Sequence, residues 1–155
     1  MKTFFVLFLA SFTLLAETSE SLIRRLESYR SNRYTDLNGK PVVGYGTAGG
    51  SLIAKRTVTH AEALRQLRRD IDRCESLIDE VVVVPLTANQ KTALTSFVYN
   101  VGRSAFLNST LLAKLNQGLY HEVPDELRRW VKCKGRVCDG LRNRREYEIS
   151  VWNAE

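Results

Sequence analysis

The stretch Leu26-Glu27-Ser28-Tyr29-Arg30-Ser31-Asn32-Arg33-Tyr34-Thr35-Asp36-Leu37-Asn38-Gly39-Lys40-Pro41-Val42-Val43-Gly44-Tyr45-Gly46 decides how this chain is read. Just before it, Ser21 is placed to cap a short helix carrying Leu22, Ile23 and Leu26, and that helix should end close to Glu27. From Tyr29 to Gly50 the chain is rich in Tyr, Val and turn residues, with Asn38-Gly39 a hairpin turn between two short extended pieces. One carboxylate is thus expected at a helix end and another at a hairpin, with Gly44-Tyr45-Gly46 behind. Glycoside cleavage asks for such a pair: one carboxyl that keeps a proton for the leaving oxygen, and one that activates water or stabilises charge on the ring. Glu27, beside the apolar Leu26 and Tyr29, is the candidate acid, and Asp36, beside a polar turn, the ionised partner. Singly, neither residue means much: a helix-end Glu is usually solvated, and an Asp close before Asn-Gly usually forms a turn. Their joint spacing is what carries the reading.

That spacing resembles the catalytic lobe of the phage-type lysozymes, glycoside hydrolase family 24, whose pattern is Glu, eight residues, Asp, five residues, Thr, then Gly-Tyr-Gly-His. Here Val42 stands in the Thr place and Thr47 in the His place. The resemblance runs on in order through Pro85-Leu86-Thr87, Asn89-Gln90, Phe97 to Gly102, Ser109 to Leu112 and Gly140 to Arg145, covering roughly residues 20 to 152. It implies an α+β, lysozyme-like fold: a small β-hairpin lobe and a larger helical lobe, joined by a long helix with the cleft between them. It also implies Glu27 and Asp36 as the catalytic pair, Arg144 reaching across to the glutamate, and Tyr99, Asn108 and Ser109 lining the cleft for the sugar. The family's threonine helps to position the attacking water, so Val42 removes one hydrogen-bond partner of that water.

The rest of the chain is consistent with this. Thr59-His60-Ala61-Glu62 is a capping box, followed by Leu64, Leu67, Ile71, Cys74 and Ile78 on one face of a long helix. Val81 to Val84, with Pro85 behind, read as the end of that helix plus a buried linker. Thr87-Ala88-Asn89-Gln90 opens a second helix that should stop near Gly102. Further helices are expected over residues 110–117, closed by Gly118, over 124–131, and over 141–152.

At 155 residues the chain has room for one domain with a real core. Its 44% hydrophobic and 26% charged residues argue against a disordered or fibrous chain. Met1-Lys2, the uncharged run Phe4 to Ala16 and the polar Glu17-Thr18-Ser19-Glu20 have the shape of a secretory signal peptide, or of an uncleaved signal anchor. Residues 1–16 are so read, with 17–155 as the folded domain, and the product is placed outside the cell or in the periplasm. The formal charge is +6, and loss of the leader removes only Lys2, so the exported domain favours anionic partners such as a bacterial wall. No zinc-finger or RNP motif supports nucleic acid.

Three cysteines leave one unpaired. Cys133 and Cys138 flank a turn and suit a disulfide in an oxidising compartment, whereas Cys74 falls on an apolar helix face. Two cysteines with four residues between them, and no second Cys or His pair nearby, make poor zinc spacing, so no metal or cofactor is expected. The reading is a monomeric secreted muramidase acting on peptidoglycan and meeting a membrane only through its N-terminal segment. The alternatives are a lytic transglycosylase, or a non-catalytic wall-binding or membrane-active protein on the same fold.

Overall fold

The structure is a computed structural model that describes residues 17–36 and 39–154. The leader and anchor reading of residues 1–16, and the Asn38 half of the hairpin turn, lie outside the described residues.

Helix α1 spans Ser19–Glu27. Its cap is Thr18 rather than Ser21. The Thr18 hydroxyl accepts the Ser21 N–H while Ser21 answers as the third helical residue, so the capping box starts three residues earlier than expected. Strand β1 (Arg30–Thr35) pairs antiparallel with β2 (Pro41–Gly44), Tyr34 facing Val42 and Arg30 facing Gly44. The register shifts between those two pairs, and there β1 turns to another neighbour, with Arg33 N–H donating to Arg56 and Val58 N–H to Ser31.

Helix α2 (His60–Val81) opens at the expected Thr59–Glu62 capping box. Beyond it the chain is extended to Thr87, and here the structure corrects the buried linker: Val82, Val84 and Leu86 pack inward while Val83 is exposed. An extended backbone sends alternate side chains to opposite sides, so such a run cannot be buried throughout. Asn116 ties the linker down, accepting from Val83 N–H and donating to Val81 C=O. Helix α3 (Ala88–Val101) follows the Thr87–Gln90 box and ends at Gly102. Next come α4 (Arg103–Leu107), α5 (Thr110–Asn116), one 3-10 turn at Tyr120–Glu122, α6 (Val123–Arg128), the strands β3 (Lys132–Cys133) and β4 (Arg136–Val137), and α7 (Asp139–Trp152).

Two hydrophobic clusters make two lobes. The smaller joins Ile23, Val43, Tyr45, Leu52, Val58, Ala63, Leu67 and Ile71; the larger includes Leu22, Leu77, Ile78, Leu94, Phe97, Phe106, Leu111, Leu115, Leu127 and Trp152. Successive helical side chains diverge by about 100°, which lets α1 give Ile23 to one cluster and Leu22 to the other. Helix α2 gives its first half to the small lobe and its last turns to the large one. The α+β arrangement of hairpin lobe, connecting helix and helical lobe is therefore as the sequence implied.

Candidate active site

Glu27 is the last residue of α1, and the chain leaves the helix at once because Ser28 takes φ +55°, a value that L residues rarely adopt. The turn leaves the Glu27 side chain in the cleft, about one-fifth exposed. Arg144, on the buried face of α7, meets it: Nη1 donates to Glu27 Oε1 at 2.5 Å. The same guanidinium is fixed from behind, Nε donating to Glu148 Oε1 at 3.1 Å and Nη2 to the carbonyl and hydroxyl of Ser96, both at 3.2 Å. Glu148 is fully buried, accepts from Ser96 Oγ at 2.7 Å and also pairs with Arg145, which in turn donates to Asn100 and to the Trp130 carbonyl. A buried charge is tolerable only when paired and hydrogen-bonded throughout, and this chain of contacts supplies that. Its consequence is positional: Arg144 cannot swing, so the Glu27 carboxyl has a fixed anchor on the far lobe.

Asp36 sits just past β1 and orders its own turn. Its Oδ1 accepts the Lys40 N–H at 2.8 Å, its N–H donates to the Lys40 carbonyl at 2.8 Å, and its carbonyl accepts from Gly39, whose φ of +83° suits glycine. Glu27, Asp36 and the buried Val42 line one cavity of about 410 Å³. Among its other walls are Arg30, Tyr34, Asn100 and Lys132, which sequence reasoning does not single out. The Arg30 guanidinium stacks 4.4 Å over the Tyr34 ring. Burial, then the Glu27 charge, push the Tyr34 phenol above its ordinary value. The only sequence cue to these walls was nearness: Arg30 and Tyr34 lie between the carboxylates, Asn100 follows Tyr99, and Lys132 precedes Cys133.

A second cavity, about 1020 Å³, does not hold the carboxylates. It runs between the 46–51 loop, α2 and the end of α3, and meets the first at Gly46 and Tyr99. Tyr99 stands at the junction as a wall, its hydroxyl committed to the Tyr45 carbonyl at 2.7 Å; burial is the main cause raising its phenol. Thr47, buried in the histidine place, closes a tight turn by exchanging backbone hydrogen bonds with Val43. Asn108 and Ser109 line neither cavity. Ser109 is the cap of α5, its hydroxyl accepting from Leu112 N–H, and Asn108 donates to the Ser104 carbonyl. Their side chains serve the helix ends next to them.

Cys133 and Cys138 are joined by a disulfide that closes the β3–β4 hairpin, Cα atoms 5.9 Å apart, and Cys133 lies against the first cavity. Cys74 is free, and burial pushes its thiol up to about 11, so it is neutral and a poor nucleophile near pH 7. Among the described residues no cluster of His, Cys, Asp or Glu could hold a metal ion, and no helix is long and apolar enough to cross a membrane.

The family described as Phage lysozyme matches residues 24–148. A SAR-endolysin of Escherichia phage Mu is 43% identical over 136 residues, which is 88% of this chain and 78% of that one. Among solved structures, an endolysin from Escherichia coli O157:H7 phage FAHEc1 superposes with a TM-score of 0.77 at 26% identity, over 92% of this chain and 94% of that one. The muramidase domain of SpmX from Asticaccaulis excentricus gives 0.77 at 29% identity, over 88% of this chain and 95% of that one.

Proposed function

The chain belongs to the phage lysozyme family and degrades peptidoglycan, and on that footing we propose that it hydrolyses the β-1,4 bond between N-acetylmuramic acid and N-acetylglucosamine. The observation that carries the proposal is the placement of Glu27 and Asp36 in one cavity, with Glu27 anchored across the cleft by Arg144.

In this reading the glycan lies along the two joined cavities, past the Tyr99 ring. Glu27 donates its proton to the glycosidic oxygen, the bond from the anomeric carbon to that oxygen breaks, and the leaving sugar departs as an alcohol. Asp36 stabilises the positive charge that develops on the ring, or takes a proton from the water that attacks the anomeric carbon. The net change is addition of one water. Arg144 holds the carboxyl while it is an acid and compensates its charge once the proton has gone. No step needs a metal or cofactor, and one chain supplies every group, so a monomer suffices. The Phe4 to Ala16 run is proposed as the export signal or anchor that delivers residues 17–155 to the wall, with periplasmic action in a Gram-negative host.

Val42 gives a reason to hold a second outcome in view. Its apolar side chain lines the cavity with Asp36 where a hydroxyl would help to hold water, and a poorly held water favours attack by the muramyl 6-hydroxyl, leaving an anhydro end. Two substitutions test the roles. Glu27→Gln should abolish wall lysis while leaving thermal stability nearly unchanged, and residual lysis above a few per cent would remove Glu27 as the acid. Asp36→Asn should be severe for a hydrolase and mild for a transglycosylase.

A further inference from the structure

The two carboxyl oxygens of Glu27 face different neighbours. Oε1 accepts from Arg144 Nη1 at 2.5 Å. Oε2 faces Gly46, where a Cβ built on the backbone would stand 3.0 Å from Oε2 and 3.4 Å from the carboxyl carbon. Gly46 is also, with Tyr99, one of the two residues at which the cavities meet, and its φ is +81°.

We infer that Gly46 is a positioning residue for the acid: the missing side chain keeps Glu27 Oε2 open to the cleft, and Oε2 is the oxygen that carries the donated proton. This rests on the reading of Glu27 as the proton donor. A guanidinium only donates, so the oxygen it grips is occupied as an acceptor and the carboxyl proton belongs on the other one. In the step, the Oε2–H bond breaks and its proton joins the glycosidic oxygen. The bond from the anomeric carbon to that oxygen breaks with its electron pair going to the oxygen, and the carboxylate left behind keeps its charge-assisted bond to Arg144 through Oε1. A methyl group at residue 46 would force the carboxyl to give way by a few tenths of an ångström on the side where the sugar oxygen must approach. Small misplacements of a reacting group cost rate far more than they cost stability.

Two other glycines provide internal controls. Gly118 has φ +79° with nothing within 4 Å of an added Cβ, so Gly118→Ala carries backbone strain alone. Gly44 has φ +68° and its Cβ would meet Ala63 Cβ at 3.0 Å, so Gly44→Ala adds a clash in the same lobe, against α2. The three alanine variants are compared by thermal melting and by wall-hydrolysis kinetics below their melting temperatures. All three should lose stability, but only Gly46→Ala should lower kcat, by about 10-fold or more with KM within about 2-fold. Equal kcat in all three variants overturns the inference. Should Gly46→Ala not fold, the double variant Glu27→Asp, Gly46→Ala decides, because shortening the acid by one methylene withdraws it from the new methyl: recovery of folding supports the contact, and failure to recover overturns it. Lysis that survives Glu27→Gln defeats the acid assignment itself, whereas an inert Glu27→Gln with a fully active Gly46→Ala defeats this inference alone.

Discussion

Val42 is 3% exposed, faces Tyr34 across the hairpin and lines the cavity of the two carboxylates. A threonine there keeps the shape and adds a hydroxyl, which can bond to Asp36 or to the water and so escapes the penalty of an unpaired buried donor. If hydrolysis is limited by a loosely held water, Val42→Thr should raise the hydrolysis rate by about 10-fold or more with little change in melting temperature. A folded variant with unchanged or lower hydrolysis would mean that this chain does not hold its water in the family's way. At this scale the sequence was legible where a residue's neighbours are local. Glu27 and Asp36 stand out by their spacing along one segment, but Asn100 and Lys132 reach the cleft only through tertiary packing, and nothing in their own sequence surroundings marks them.

Helices α2 and α3 were legible almost to the residue, because their capping boxes are complete and their apolar faces long. Helix α4, five residues on the heels of Gly102, is too short to show a period and was missed. Helices α6 and α7 begin one and two residues before their expected starts, and α6 stops at Arg128, end effects that tertiary contacts decide. The β3–β4 hairpin is two residues a side and depends on its disulfide rather than on strand propensity. Thiol titration of denatured, unreduced protein should therefore find one free sulfhydryl, Cys74. Cys133→Ser should lower stability by about 2 kcal/mol, the chain-entropy value for so short a loop. Three free thiols in exported protein would refute both the bridge and the oxidising compartment.

Across the whole molecule, acid stability follows from carboxyls held by cations. Hydrogen bonds hold Glu62 down to about 2, chiefly from Lys55 and then from Thr59, while Arg68 lowers Glu20 and Arg128 lowers Glu146, all from an ordinary value of 4.5. A depressed folded-state value adds stability above the unfolded value and loses it as pH falls through the folded one. The melting temperature should hold from neutrality to about pH 4.5 and then decline towards pH 2, by less in high salt because these pairs are near the surface. Asp70 works the other way, since burial raises its carboxyl and its contribution improves as pH falls, but it stands against four, because Lys114 and Thr110 lower Glu126 as well. A melting temperature that stays level or rises from pH 4.5 to 2 would contradict this account.

In the proposed function, the two lobes, the α2 connection and the cleft serve to bring Glu27 and Asp36 to one glycosidic bond that water then cleaves. Digestion of purified peptidoglycan in heavy-oxygen water, with mass spectrometry of the released muropeptides, tests that claim most directly. The account predicts reducing N-acetylmuramic acid ends carrying one heavy oxygen, absent with Glu27→Gln. Anhydro ends without the label, or reducing N-acetylglucosamine ends, would contradict it.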